Sequence, residues 1–359
     1  MKNLTLTITS HDRAFEGSFV KEVFAPQETR TVDYGSVLGE ARDFVSIGLD
    51  RVHEQLEVVA RSAPGKLSGH LQDMLTRRGK RIRSTFLLLL AQTGRNFEFD
   101  RAVRICAAVE LIHLGSLIHD DIIDGSELRR NEKTAHQRWG NRVAVLLGDY
   151  ILAKSMELIW SDPDTRVPLS LCRASSRLIK AEVLEVERAG RLDLTVTEYH
   201  EIIAGKTAAL FEACGECGAL LAGFDENGIR QGASLGRNFG IAFQIVDDLL
   251  DFGVGAVNLD KRTFSDVKNG FLTLPLILFF ADCGAEDRAR MMALLENPQI
   301  ETNQIAIHTL LNRHSAFQKA NDMAVEKVRS GQAFLESLPE TTAVAHLRQV
   351  CTLMTERSL

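Results

Sequence analysis

The positions of proline constrain this chain more than any other feature of its sequence. Seven prolines occur in 359 residues, and they leave residues 65–162 and 169–274 without any. Because a proline inside a helix breaks or kinks it, both spans can hold long helices. Apolar residues recur at helical spacing in the first span, at Ala102, Ile105, Val109 and Ile112. Strand-like alternation is scarce, so the sequence predicts an all-α fold.

One domain accounts for most of the chain. Turn-forming residues cluster at Ser161–Pro168, Gly223–Gly228 and Gly253–Gly270, and helical patterns lie between them. Residues 1–39 are only weakly periodic. We therefore predict a variable N-terminal extension over residues 1–39 and a single all-α domain over residues 40–359.

The composition argues against several classes of protein. Hydrophobic residues make up 45% of the chain, and the net charge of −6 gives no basic excess for nucleic acid. The sequence has no apolar run of about 18 residues, as a membrane span needs, and no apolar segment typical of a signal peptide. Six cysteines in a chain this long suit a reducing compartment. We expect a cytoplasmic protein without a transmembrane segment.

The most specific signal is an aspartate motif that occurs twice. SLIHDDIIDG and FQIVDDLLDF share the spacing D-D-x-x-D, and each copy ends an apolar helical stretch. Like charges one turn apart destabilise a helix, so a solvated helix end or a bound cation must offset them. Carboxylates without histidine or cysteine suit Mg²⁺, which shares its coordination shell with substrate phosphates, and two copies favour this interpretation. The candidate metal ligands are Asp120, Asp121, Asp124, Asp247, Asp248 and Asp251.

Basic residues supply the charge that a phosphorylated ligand would need. They lie in RRGKRIRS at Arg77–Ser84, at Arg129 and Arg130, in GKT at Gly205–Thr207, and at Lys261. Arginine pairs bidentately with phosphate, whereas lysine acts as a point charge. The GKT segment is not a P-loop, because the glycine that opens such a motif is missing upstream. For the cluster at Arg77–Ser84, the alternative is that the basic side chains simply face solvent on one side of a helix.

Together these segments resemble the trans-isoprenyl diphosphate synthases, also called polyprenyl synthetases. The resemblance runs from about Leu71 to Arg357 and rests on GKRIR, ELIHLGSLIHDDIIDGSELRR, LLGDY, GKTAALF, GIAFQIVDDLLDF and LTLPLI, in the family's order. It implies one large helical bundle with a central active-site cavity. It also implies an enzyme that joins isopentenyl diphosphate to an allylic diphosphate, head to tail and in the trans configuration. About three Mg²⁺ ions per site, a homodimer and release of product at a membrane surface are further implications.

The resemblance assigns roles to individual residues. Asp120 and Asp124 would hold Mg²⁺ on the allylic diphosphate with support from Asp121, and Asp247 would hold a further ion, with Asp248 and Asp251 close by. The other implied roles are Arg129, Lys206 and Lys261 for the allylic diphosphate; Lys80, Arg83, His113 and Arg130 for isopentenyl diphosphate; and Lys206, Thr207 and Gln244 for catalysis at the reacting carbons.

Chain length depends, by the same resemblance, on the residues four and five positions before the first aspartate. These are Ser116 and Gly115, and both are small. An open floor to the product tunnel favours a medium- or long-chain polyprenyl diphosphate, with a geranylgeranyl or farnesyl product as the alternative. Gly115 and Ser116 could instead allow close helix packing, and Met156 or Trp160 could close the tunnel lower down.

The sequence departs from the family pattern at four places. Ser84 stands where proline is usual, and the usual E-x-x-Q pair reads Glu182–Glu185. The segment G-K-x-x-G-x-D loses both glycines, one of them to Phe264, and Phe271 replaces a basic residue. None of these changes removes a predicted metal ligand.

Two other classes of protein share part of the pattern. A class I terpene cyclase has the first aspartate motif but normally a different second motif, and it would not need the basic cluster at Arg77–Arg83. A non-catalytic subunit of a heteromeric synthase usually lacks some of the aspartates, and this chain keeps both sets. An isoprenyl diphosphate synthase is therefore the preferred hypothesis.

Overall fold

The predicted all-α fold is confirmed. A computed structural model describes residues 34–75, 79–95, 97–129, 132–254 and 264–356. The long helices are α1 (Tyr34–Phe44), α2 (Ser46–Ser62), α3 (Lys66–Leu75), α4 (Ile82–Ala91), α5 (Phe99–Ile123), α7 (Asn141–Trp160), α8 (Arg166–Arg188), α9 (Val196–Ile203), α10 (Ala209–Leu221), α11 (Glu226–Asp251), α13 (Leu274–Asp282), α14 (Ala285–Leu295), α15 (Glu301–Arg313), α16 (Ala316–Glu336) and α17 (Thr342–Glu356). Two short helices, α6 (Ala135–Trp139) and α12 (Ser265–Lys268), and a π-helical turn, Ala204–Ala208, lie between them.

Strands play a minor part in the described residues. Leu128–Arg129 (β1) and Glu132–Lys133 (β2), which follow α5 in the chain, pair with each other in antiparallel orientation. The helical part begins at Tyr34, within the span predicted to be an extension, and residues 1–33 lie outside the described residues.

Local signals fix where the functional helices begin. Thr195 caps α9 because its hydroxyl accepts a hydrogen bond from the Glu198 amide, and the Glu198 carboxylate in turn accepts one from the Thr195 amide. Asp225 caps α11, since its side chain accepts a bond from the Gly228 amide at 2.8 Å. The α9 cap precedes the GKT segment and the α11 cap starts the helix that carries the second aspartate motif, so both segments are anchored at a defined start.

The core surrounds α5, α10 and α11. Phe86, Phe211 and Phe239 are buried there, and the rings of Phe86 and Phe239 stack with centroids 5.1 Å apart. Among the described residues, α5 is the one helix long and apolar enough to cross a membrane, and 67% of its apolar window is buried inside the protein. Packing against other helices therefore accounts for the apolar character of α5.

Glycines let α10 and α11 pack backbone against backbone. A Cβ atom at Gly236 would overlap the carbonyl oxygen of Phe211, and one at Gly215 would overlap the carbonyl oxygen of Gly232. This close approach sets the distance between the GKT segment, which leads into α10, and the second aspartate motif at the end of α11.

Replacing Gly236 by alanine is expected to lower the free energy of unfolding by about 2–3 kcal/mol, because a backbone carbonyl cannot move aside as a flexible side chain can. Urea denaturation measures the effect. Gly69→Ala is the matched control, since a Cβ at this helical glycine meets nothing within 4 Å. The control should be neutral or stabilising by up to about 1 kcal/mol. Equal stability of Gly236→Ala and wild type would contradict the packing argument.

Candidate active site

A cavity of about 960 Å³ lies at the end of the bundle where α5 and α11 finish. Its walls bring together most of the residues that the sequence pointed to: Lys80, Arg83, His113, Ser116, Asp120, Asp121, Asp124, Arg129, Lys206, Thr207, Gln244, Asp247 and Asp248. Gly115 and Asp251 do not line it. Arg130 and Lys261, as well as Arg77 and Arg78, lie outside the described residues.

The first aspartate motif ends α5. Asp120 and Asp121 are buried, and Asp121 accepts a hydrogen bond from Arg129 Nε at 2.8 Å. Burial, together with the charge of Glu182, raises the pKa of Asp120 to about 7. Burial also raises the pKa of Asp121, although Arg129 opposes this shift. An arrangement that makes a carboxylate this costly to ionise is one that a bound cation stabilises.

The second aspartate motif ends α11 on the other side of the cavity. Asp248 is buried and accepts hydrogen bonds from Tyr199 Oη at 2.7 Å and from Gln244 Nε2 at 2.8 Å. Burial raises its pKa to about 7. The Gln244 amide oxygen in turn accepts a bond from Thr207 Oγ1 at 2.6 Å. Thr207, Gln244 and Asp248 therefore form one hydrogen-bonded chain across two helical segments, while Asp247 is exposed in the cavity.

The Asp251 side chain does not line the cavity but binds residues at the start of α12. Its carboxylate accepts hydrogen bonds from the amide and hydroxyl of Ser265, at 3.0 and 2.6 Å, and from the Asp266 amide at 3.1 Å. These bonds hold the start of α12 and bring Asp266 to the cavity wall. Burial and the nearby aspartates raise the pKa of Asp266 well above its usual range. The metal role of Asp251 stays a prediction. Asp266 is the aspartate of the G-K-x-x-G-x-D segment; no role was predicted for it from the sequence, and the structure adds it to the carboxylates of the site.

Phe264 stands at a position where the family pattern G-K-x-x-G-x-D has glycine. Its φ of 64° is left-handed, a conformation that is costly for a bulky residue and easy for glycine. The side chain is fully buried and packs edge-on against Phe252, with centroids 5.2 Å apart. Burial of the ring offsets the backbone strain of this left-handed position.

The carboxylates fit Mg²⁺ bound together with a substrate. No three histidine, cysteine, aspartate or glutamate side chains converge on one point within the described residues, as they would in a site built by protein ligands alone. The two facing sets supply oxygen atoms only, and Mg²⁺ usually takes one or two carboxylates, several waters and phosphate oxygens.

A buried glutamate organises the basic segment. Glu110 accepts hydrogen bonds from Arg81 Nη1 at 2.9 Å and from Ser84 Oγ at 2.6 Å. Arg81 has a left-handed φ of 52° directly before α4. Ser84, which stands where the family has proline, thus makes a bond that proline could not make. Glu110 was not among the predicted site residues, and its only sequence signal is an acidic residue in the apolar face of α5.

Arg83 faces the cavity from a largely buried position. Its guanidinium carbon lies 4.8 Å from the centre of the Phe211 ring, and burial lowers its pKa. A cation held over an aromatic ring in a site of low polarity attracts an anion strongly.

Lys206 lies in the π-helical turn Ala204–Ala208, the type of irregularity that often marks functional sites. It pairs with Glu185, and with Glu182 at 3.2 Å. Burial disfavours the charge of Lys206, but these two carboxylates raise its pKa above the usual range. Both glutamates come from α8, and Glu185 lines the cavity.

The two small residues predicted to control chain length have different environments. Ser116 lines the cavity and donates a hydrogen bond to the His113 carbonyl oxygen at 2.9 Å. Gly115 instead faces α7, where a Cβ would lie 3.0 Å from the Leu152 side chain. Close helix packing therefore explains Gly115. Neither Met156 nor Trp160 lines the cavity, and Trp160 is 60% exposed.

Comparison with known proteins gives consistent matches. The model of the polyprenyl synthetase family matches residues 65–311. Heptaprenyl diphosphate synthase component 2 of Geobacillus stearothermophilus is 31% identical over 315 residues, which cover 88% of this chain and 97% of that protein. A short chain isoprenyl diphosphate synthase of Methanothermobacter thermautotrophicus is 31% identical over 325 residues, which cover 89% of this chain and 98% of that protein. The crystal structure of a decaprenyl diphosphate synthase from Rhodobacter capsulatus matches with a TM-score of 0.83 at 29% identity. The match covers 90% of this chain and 99% of that one.

Proposed function

The chain belongs to the polyprenyl synthetase family of prenyl-transferring enzymes, and from this premise we propose that it is a Mg²⁺-dependent trans-polyprenyl diphosphate synthase. Its substrates are isopentenyl diphosphate and an allylic diphosphate, joined head to tail. The observation that carries the proposal is that one cavity holds both aspartate motifs and two separate sets of basic residues. Two anion subsites are what a reaction between two diphosphates requires.

The allylic diphosphate lies between the two aspartate motifs. Asp120, Asp124 and Asp247 would hold Mg²⁺, which would supply positive charge to stabilise the diphosphate as a leaving group. Arg129 contacts the same diphosphate, and its bond to Asp121 fixes the direction of the guanidinium. Lys206, which also lines the cavity, adds a further positive charge.

Isopentenyl diphosphate lies at the basic segment. Lys80, Arg83 and His113 line this part of the cavity. Glu110 keeps the segment in place through Arg81 and Ser84, so the cations are positioned before the substrate arrives. Positioning in advance removes part of the entropic cost of bringing two reactants together.

The allylic cation forms between these subsites. Thr207 and Gln244 place oxygen atoms at the cavity wall, where they stabilise positive charge. Apolar side chains such as Leu114, Leu117 and Phe243 exclude water, which would otherwise capture the cation. Loss of a proton completes the condensation, with the departing pyrophosphate as the base.

A medium- or long-chain product agrees with Ser116 at the cavity wall and with relatives named for heptaprenyl and decaprenyl products. The short chain relative makes a shorter product the alternative. A relative named component 2 raises the further alternative of a subunit that needs a partner. Retention of all six aspartates favours a chain that is catalytic by itself.

Product analysis tests the proposal directly. The purified chain is incubated with Mg²⁺, radiolabelled isopentenyl diphosphate and farnesyl diphosphate, and the dephosphorylated products are separated by reverse-phase chromatography. We expect products of about six or more isoprene units, because the cavity floor at Ser116 is open. A stop at about four units would support a short-chain synthase. Absence of condensation with every allylic primer would overturn the proposed enzyme and favour the partner-dependent subunit.

We also propose that the protein is a homodimer that buries an exposed apolar face of α7 and α8. Ile179, Val183 and Val186 follow one another at helical spacing on α8 and are 62%, 52% and 52% exposed. Leu146 and Trp160 on the adjacent α7 are 53% and 60% exposed. Large apolar side chains that are exposed on two adjacent helices are typical of an interface between subunits.

Val183→Glu is expected to convert the dimer to a monomer, because it would place a charge in a desolvated interface. Light scattering coupled to size-exclusion chromatography measures the mass. Ile300→Glu is the control, since Ile300 is 47% exposed but lies outside this face, just before α15. A dimer that persists in Val183→Glu would place the interface elsewhere.

A further inference from the structure

Lys206 is held by two carboxylates before any substrate arrives. Its Nζ donates a hydrogen bond to Glu185 Oε2 and lies 3.2 Å from Glu182 Oε2. The side chains of Glu182 and Glu185 are 9% and 19% exposed, so solvent screens these charges only weakly. The carboxylate oxygens of Glu182 accept no hydrogen bond from the described residues, which leaves Lys206 as the charge that stabilises it.

The rest of this wall is also rich in carboxylates. Asp120 and Asp124 line the cavity together with Glu185, and the charge of the neighbouring Glu182 is one of the causes that raise the pKa of Asp120. Arg129, the other described cation of the allylic subsite, is bonded to Asp121. A free diphosphate anion would therefore meet cations that are already paired and carboxylates that repel it. A diphosphate that carries divalent cations would meet carboxylates that attract it.

We propose that Glu185 is a specificity-determining residue that makes the allylic subsite select a cation-bound diphosphate over the free anion. The inference rests on the proposed function of this subsite. Glu185 competes with the incoming phosphate oxygens for Lys206 and adds a negative charge that only a cation can offset. The residue is one of the departures from the family pattern, in which glutamine stands at this position.

Calorimetric titration with inorganic pyrophosphate, in EDTA and again in Mg²⁺, tests the proposal without measuring turnover. In EDTA, Glu185→Gln is expected to bind pyrophosphate at least about tenfold more tightly than wild type, because Lys206 loses one of its two carboxylate partners. In Mg²⁺ the two proteins should differ by less than about threefold, because the cations already cover the carboxylates.

Two further variants separate charge from structure. Glu185→Ala should show the same gain in EDTA, since the proposal depends on the charge and not on the amide. Glu187→Gln removes an exposed carboxylate two residues further along α8 and should bind pyrophosphate like wild type. Thermal unfolding of each variant verifies that it is folded.

The outcomes distinguish this inference from the proposed function. If wild type binds pyrophosphate in Mg²⁺ but Glu185→Gln is no tighter in EDTA, the selectivity role is wrong while the diphosphate site stands. If Glu185→Gln loses affinity only in Mg²⁺, Glu185 is a cation ligand and the inference is again wrong. If wild type binds no pyrophosphate even in Mg²⁺, the proposed function falls and the inference falls with it.

Discussion

Replacing Asp120 by asparagine is expected to lower turnover by roughly 10³-fold while leaving the fold intact. The carboxylate is buried at the end of α5 and lines the cavity close to Glu182 and Lys206. An amide keeps the shape of the side chain but removes the charge that would hold a cation against the allylic diphosphate. Stabilisation of the leaving group is the largest contribution to catalysis in such a reaction, so its loss should affect turnover directly.

Steady-state turnover at saturating Mg²⁺ and both substrates measures the loss. Asp100→Asn is the matched control, because Asp100 is an exposed aspartate in the first turn of the same helix. The control should retain the activity of wild type. If Asp120→Asn kept a tenth or more of the wild-type turnover, Asp120 would not hold a catalytic cation, and the second aspartate motif would become the main metal site.

Helices and the positions of both aspartate motifs could be predicted from the sequence. The break predicted at Ser161–Pro168 separates α7 from α8, and the break at Gly223–Gly228 separates α10 from α11. These predictions succeed because proline, glycine and the period of apolar residues act locally on the backbone. The convergence of the two motifs on one cavity was a hypothesis from their chemistry and from the family resemblance.

The partners of individual site residues could not be predicted. Glu110 looks like one polar residue in an apolar stripe, yet it holds Arg81 and Ser84 across two helices. Asp251 looks equivalent to Asp124, but it serves the start of α12. Periodicity shows which face of a helix is buried, and it carries no information on which side chain of another helix lies opposite.

Two departures from the family pattern are explained by contacts that a sequence motif does not reveal. Phe264 keeps a left-handed turn because its ring is buried, and Ser84 replaces proline while bonding to Glu110. Each of these side chains makes a contact that the usual residue could not make, the Phe264 ring with Phe252 and the Ser84 hydroxyl with Glu110. Glu185 differs from these, because it adds a charge inside the cavity and thereby changes what the site can bind.

Replacing Ser116 by phenylalanine is expected to shorten the main product to about three or four isoprene units, because an aromatic ring would fill the cavity one turn below Asp120. Ser116 lines the cavity, and within the described part of the chain its hydroxyl donates one hydrogen bond, to the carbonyl oxygen of His113 in the same helix. Its replacement therefore breaks no hydrogen bond between the described helices. The chromatographic product assay described above measures the change as a shift in chain length at similar total incorporation.

Two variants decide whether the effect comes from the cavity or from packing. Ser116→Ala keeps the floor open and should give wild-type products. Gly115→Ala adds a methyl group 3.0 Å from Leu152, on the side that faces α7, and should reduce stability without changing product length. An unchanged product distribution in Ser116→Phe would place the end of the tunnel on another helix. A shortened product in Gly115→Ala would show that α7, rather than Ser116, sets the depth of the cavity.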